Sequence, residues 1–200
     1  EPFFFSHSKN ENAPQTYAMI TKYFVIFGSL ILLGVIVFAD LLKFLLLDDK
    51  SYWEAMKVVP LIILANFFLG IYNNLSVWYK LIDKTKIGAY ISIVGAIVTL
   101  AFNIVLIPRW SYMGSAIATI LAYGTMMLIS YILGQKAYPI PYDKKKIAMY
   151  IGLAMVLSGL SFYIPVLRRT YVFGIASLLF FAYFVYRNEK ETIVKIIRRK

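Results

Sequence analysis

Between Lys86 and Lys136 the chain reads IGAYISIVGAIVTLAFNIVLIP, Arg109, then WSYMGSAIATILAYGTMMLISYILGQ, so residues 87–135 carry one ionised side chain in 49. Crossing the hydrocarbon core of a bilayer as a helix takes about 20 mostly apolar residues, within a range of roughly 17–25. The two charge-free halves, 22 and 26 residues long, each reach that length. Backbone N–H and C=O groups cannot stay unpaired in hydrocarbon, so each crossing is read as a helix. Pro108 disfavours helix at Ile107, and Arg109 alone separates the halves. That pattern predicts a tight antiparallel hairpin of two membrane helices.

The rest of the 200 residues repeats the theme. Charge-free stretches also occur at 23–39, 58–79, 147–167 and 170–186, of 17, 22, 21 and 17 residues. Hydrophobic residues make up 60% of the chain and charged ones 16%, too little polar surface for a water-soluble domain of this size. A transmembrane β-barrel would show short alternating segments instead of continuous apolar runs. The fold class is therefore an all-α polytopic membrane bundle of six transmembrane helices. The expected spans lie near 23–42, 58–79, 87–107, 112–135, 147–167 and 170–186. Residues 1–22 are read as a cytoplasmic or interfacial segment, 23–186 as the bundle and 187–200 as a basic cytoplasmic tail. The opening Glu1-Pro2-Phe3-Phe4-Phe5 reads as the end of an earlier apolar element, so a fragment is expected.

The formal net charge of +11 is explained by topology. With the amino terminus cytoplasmic and each stretch crossing once, Lys9, Lys22, Lys80, Lys84, Lys86, Lys136, Lys144, Lys145, Lys146 and the six bases from Arg187 onward share one side. Lys43, Lys50, Lys57, Arg109, Arg168 and Arg169 fall on the other, a 15-to-6 bias. This obeys the positive-inside rule and places both ends of the chain in the cytoplasm. Nucleic acid is not an expected partner, because no soluble domain exists to carry a basic patch. Membrane lipids are. Tyr138-Pro139-Ile140-Pro141-Tyr142 cannot form regular helix; its tyrosines suit the membrane–water boundary, and Asp143 is placed to cap the fifth helix. Glu189–Lys200 mixes Ile193, Val194, Ile196 and Ile197 with basic residues, a spacing compatible with an amphipathic helix on an anionic leaflet or with a frayed terminus.

No cysteine is present and His7 is the sole histidine. No paired carboxylates, histidine cluster, Gly-rich phosphate loop or Ser/His/Asp set occurs at workable spacing. No enzyme activity, metal or cofactor is expected. Asp40 reads as interfacial, with Lys43 one helical turn on. Polar residues within the spans are more informative. Asn66, Gly70, Asn73 and Asn74 recur on one helical face of the second span. Gly88, Ser92, Gly95, Ala96, Thr99 and Asn103 do so in the third, and Ser115, Ala118, Thr119, Ala122 and Thr125 in the fourth. Two readings fit: close helix packing through small residues, with amides and hydroxyls bonding across interfaces, or the lining of a hydrated cavity. Three asparagines in one span weigh towards the cavity, since an unsatisfied amide in lipid is costly, and amides suit sugar hydroxyls by donating and accepting. Asn66, Asn73, Asn74, Asn103 and Thr99 are the substrate-cavity candidates. Lys80, Lys84, Lys86 and, on the opposite side, Arg109 are the lipid-phosphate candidates, with plain topology determinants as the competing reading.

The stretch Asn103-Ile-Val-Leu-Ile-Pro108-Arg-Trp-Ser-Tyr-Met-Gly114-Ser-Ala-Ile-Ala-Thr119 resembles the Asn-x3-Ile-Pro-x-x-Gly-x-x-Gly-Ala-Ala-x-Ala-Thr pattern of polysaccharide flippases. These belong to the multidrug/oligosaccharidyl-lipid/polysaccharide exporter superfamily. Trp78-Tyr-Lys80-Leu-Ile-Asp83-Lys84-Thr-Lys86 resembles that family's cytoplasmic turn, and Glu1–Phe5 the end of a preceding helix. Ser111 and Ser115 depart from the glycine and alanine usual there, but both remain small. The resemblance implies the carboxy-terminal bundle of a 12–14-helix transporter, with an amino-terminal bundle missing. It also implies alternating-access movement of a lipid-linked oligosaccharide across the bacterial inner membrane, the glycan in a hydrated cavity between bundles and the polyprenyl tail in lipid. A cation-coupled multidrug exporter of the same superfamily is the alternative. A membrane glycan polymerase or glycosyltransferase is a weaker one, because the external loops are short.

Overall fold

A computed structural model describes residues 12–46, 50–169 and 171–197. The opening Glu1–Phe5 segment, His7, Lys9, Asp48 and Asp49 lie outside the described residues, as do Arg198, Arg199 and Lys200. Every regular element among the described residues is helical: α1 Ala13–Val37, α2 Ala39–Leu46, a 3-10 segment Lys50–Val58, α3 Val59–Leu75, α4 Val77–Leu81, α5 Lys86–Ala137, α6 Lys144–Tyr163, α7 Pro165–Arg169 and α8 Val172–Ile197. Among the described residues four stretches are long and apolar enough to cross a membrane: Ala13–Val37, Trp53–Leu81, Lys86–Ala137 and Lys144–Tyr163.

The difference from six charge-free stretches has two sources. The third and fourth lie in one 52-residue helical run, α5. Straight, it would be about 78 Å long, more than twice a bilayer core of about 30 Å. It is not straight. Ser111 sits at φ 48°, ψ −131°, outside helical space, and divides α5 into two arms, residues 86–110 and 112–137. The second source is α8, whose charge-free part, Val172–Tyr186, is only 15 residues before Arg187. The helix then continues to Ile197, so residues 187–197 extend the last helix.

Charge gaps locate where helices are uncharged, not where they begin. α1 starts at Ala13, with Pro14 in its first turn, where a missing N–H costs nothing; the interfacial segment expected over 1–22 is thus helical from Ala13. Pro60 plays the same part in α3. α4 ends in a left-handed Asp83 at φ 55°, a conformation aspartate tolerates better than most residues, and the Lys84 N–H reaches back to the Tyr79 carbonyl at 2.7 Å. That six-to-one closure satisfies an orphan carbonyl and turns the chain into α5. Pro108 does not end the helix as expected; the bend comes three residues later.

The chain divides into two compact units, with the boundary inside α1. One combines residues up to Phe24 with Glu54–Lys144, the other Val25–Trp53 with Lys145–Lys200. In the first, the α5 arms fold back on each other. A Cβ on Gly114 would overlap the Leu106 backbone carbonyl, and one on Gly95 would overlap the Met126 thioether, so glycine is what allows this approach. The buried residues of the second arm include Gly114, Ala118, Ala122, Met126, Ser130 and Gly134, a strict four-residue ridge of the kind that seats a neighbouring helix. α3 and α4 pack against both arms: Tyr79 lies over Gly88, Phe68 beside Gly124 and Trp78 over Gly134. In the second unit Gly174 of α8 accommodates Val37 of α1, and Tyr150 of α6 meets Phe181 and Phe184 of α8 edge-on.

Candidate functional site

The polar residues singled out in the spans all fall in the first unit. Asn66 and Asn73 are exposed on α3, and Asn74 is half-buried. Asn66 Nδ2 donates to the Ile62 carbonyl at 2.9 Å and Asn74 Nδ2 to Gly70 at 3.0 Å. The hydroxyls behave alike: Ser92 donates to Gly88, Thr99 to Gly95, Thr119 to Ser115 and Thr125 to Leu121, at 2.7–3.0 Å. These side chains bond to the preceding turn of their own helix; Ser92 also meets the Tyr72 hydroxyl of α3 across the interface. Their donors are partly consumed, and what they present outward is mainly acceptor oxygen. Asn103 is half-buried and its Oδ1 has no hydrogen-bond partner. Among the described residues no hydrogen bond joins the α3 amides to Thr99 or Asn103. The helix-packing reading holds for Gly88, Gly95, Ala118 and Ala122, which are buried, and for Ser92, whose hydroxyl meets Tyr72 of α3, and not for Ala96, which is exposed.

The four candidate cations separate into two groups. Lys80 is half-buried, and Lys84 and Lys86 are exposed around the Asp83 turn; Arg109 is exposed beside the bend. Lys86 and Arg109 stand at opposite ends of the first arm, about 35 Å apart along its axis, so they cannot serve one phosphate.

Three arrangements escaped sequence reasoning. The first is a narrow crevice in the first unit whose walls include Trp78, Ser130, Gln135, Tyr138, Ile140 and Tyr142. Trp78 Nε1 donates to the Ser130 carbonyl at 3.1 Å. Ile140, between the two tyrosines, is buried at 3% exposure against Ala13, Tyr17 and Ala18. Burial raises the Tyr142 phenol above its ordinary range, partly offset by a hydrogen bond with Thr21.

The second is an ion pair in the second unit. Arg168 Nε and Nη2 donate to the two carboxylate oxygens of Asp40 at 2.5 and 2.6 Å, with Lys43 Nζ at 3.4 Å. Arg168 also lies over the Phe162 ring, 4.4 Å from its centroid. The Arg168 hydrogen bonds hold the Asp40 carboxyl below its usual range, against the opposing effect of burial. The third is Glu189, counted in sequence as part of the basic cytoplasmic tail. Its side chain is fully buried, accepting from Lys146 Nζ at 2.8 Å and from Tyr150 Oη at 3.0 Å. Lys146 and Tyr150 are one turn apart on α6, the only signal that could have paired them with α8. From Lys146 to Tyr163, α6 rises about 26 Å, so these two polar clusters stand near its two ends, roughly a bilayer core apart.

A hairpin with a polar-studded α3 against it, and ion pairs set near the ends of an apolar helix, define a multi-pass helical membrane protein. The model of the MatE family matches residues 6–105, half of the chain, and the protein belongs to that family, whose members are membrane transporters and not enzymes. No curated protein and no solved structure matches the chain.

Proposed function

We propose that this chain is part of a flippase that moves lipid-linked oligosaccharide or polysaccharide repeat units across the bacterial inner membrane by alternating access. The observation that carries the reading is the pair of exposed asparagines, Asn66 and Asn73, two turns apart on the apolar helix α3. Exposed amides in lipid are costly, so this face suits water and sugar hydroxyls. Thr99 and Asn103 add acceptor oxygens in the same unit, with Asn74 beside them on α3. The Asn103–Thr119 resemblance to polysaccharide flippases supports a glycan over other cargo.

In this reading the Lys80, Lys84 and Lys86 turn meets the carrier phosphate on the cytoplasmic side, and Arg109 meets it after passage. The amino-terminal bundle of the same protein supplies the other wall of the cavity. The test is deletion of the gene: surface glycan is lost and is restored by the wild-type copy, whereas the Asn66→Leu/Asn73→Leu copy restores a tenth of it or less. Unchanged glycan on deletion overturns the proposal. The family match is equally compatible with a cation-coupled multidrug exporter, for which deletion produces drug sensitivity with glycan intact.

A further inference from the structure

Two rows of polar side chains run beside one helix contact in the first unit. Tyr72 of α3 meets Ser92 on the first arm of α5, with the Tyr79 hydroxyl 3.3 Å from that of Tyr72. Next along α3 from Tyr72 comes Asn73, exposed, with exposed Asn66 two turns before it. On the arm, Thr99 and Asn103 follow Ser92 at seven and then four residues, on one side of the helix. Among the described residues no hydrogen bond joins the asparagines of α3 to the row on the arm. Ser92 and Thr99 spend their protons on the Gly88 and Gly95 carbonyls, and the buried Asn103 Oδ1 has no partner among the described residues. Each therefore offers an acceptor to a group that brings its own hydrogen.

What this wall lacks is charge. Residues 58–79 and 87–108 contain no ionised side chain, so neither α3 nor the arm between Lys86 and Arg109 carries a counterion. An ionised carboxylate leaves water at heavy cost unless a cation or a full set of N–H donors receives it. The amides of Asn66 and Asn73 supply dipoles only, and one Asn66 N–H is already given to the Ile62 carbonyl. The cations stand at the two ends. Along the helix axis Thr99 is about 20 Å from Lys86 and about 15 Å from Arg109, whereas physiological salt screens charge over about 8 Å. Neither end can neutralise an anion held at the middle of the wall. Sugar hydroxyls and acetamido N–H groups meet the same acceptors with no charge to desolvate.

We infer that the wall made by α3 and the first arm of α5 takes uncharged sugar residues and rejects anionic ones, the charge of a lipid-linked glycan being met only at the ends of the arm. The inference rests on the flippase reading and narrows its substrate class. Its test is equilibrium binding at pH 7 to the intact protein in phosphatidylcholine nanodiscs. The probes share ring and linkage and differ in charge: cellotetraose and its C6-oxidised tetrauronate. Cellotetraose is expected to bind the wild type about tenfold tighter. Thr99→Lys, which sets a cation on the wall, is expected to raise tetrauronate affinity about tenfold. Thr99→Val, which keeps the shape and removes the acceptor, is expected to weaken cellotetraose about threefold while preserving the order of the two probes; it carries the test if the lysine variant does not fold. Tetrauronate that binds the wild type as tightly as cellotetraose, or that a folded Thr99→Lys does not favour, overturns the inference and leaves the flippase reading standing. Cellotetraose that binds the wild type no better than Asn66→Leu/Asn73→Leu removes the wall as a sugar site, and the flippase reading falls with the inference.

Discussion

Asp40 and Arg168 lie 128 residues apart, yet they form a bidentate contact in the second unit. Two parallel N–H···O bonds from a guanidinium fork are stronger and more directional than a single ammonium contact. Both side chains are about a third exposed, so solvent screening keeps the net contribution modest. Arg168→Ala is expected to cost about 1–3 kcal/mol, read as a lower unfolding temperature in detergent, with Arg168→Lys recovering only part because it cannot bond bidentately. Because the pair depresses the folded carboxyl, its contribution is present above the unfolded value of about 3.9 and is lost as pH falls through the folded one. The gap between wild type and Arg168→Ala should therefore be full at pH 7 and begin to narrow only as pH falls below about 4, read in thermal scans from neutral to acid pH. Glu189 is the opposite case, with a fully buried side chain. Glu189→Ala leaves the Tyr150 hydroxyl without its carboxylate and is expected to destabilise by about 2–4 kcal/mol, with the same assay as the check.

At the scale of elements, the α5 hairpin is decided by two small residues. Ser111 holds a positive φ of 48°, which glycine adopts freely and β-branched residues scarcely at all. Ser111→Gly should stabilise by about 0.5–1 kcal/mol, and Ser111→Val should lower stability by more than that. Gly114 is set by a backbone contact with Leu106, so even Gly114→Ala must displace one arm, at about 1–3 kcal/mol. Both are measurable by denaturation of purified protein. That two helices meet here was legible from Arg109 isolated between two apolar stretches. The residue that makes the bend was not, because Pro108 is the stronger local breaker by propensity. The tight packing that follows is instead negotiated three and six residues on, at Ser111 and Gly114.

For the whole molecule the testable content is orientation. No native cysteine competes with introduced ones. Lys84→Cys and Lys145→Cys should react with an impermeant maleimide from the same side of sealed vesicles, and Arg109→Cys from the other. Labelling of Lys84→Cys and Lys145→Cys from opposite sides would remove the proposed topology. The MatE match covers residues 6–105, and so contains Asn66, Asn73, Asn74, Thr99 and Asn103, while both polar clusters of the second unit draw on residues beyond it.

The sequence by itself determined that this protein is a set of apolar helices with polar turns, because hydropathy and backbone satisfaction depend only on neighbouring residues and their solvent. It also marked the small and amide residues that would matter. Tertiary structure alone decided their partners: Asp40 with Arg168, Glu189 with Lys146 and Tyr150, Ile140 with α1, and the glycine contacts of α5. The reason is rotational. A helix that is apolar on all sides can turn about its axis in lipid at little cost, so its pattern does not say which side meets a neighbour until the neighbours are in place.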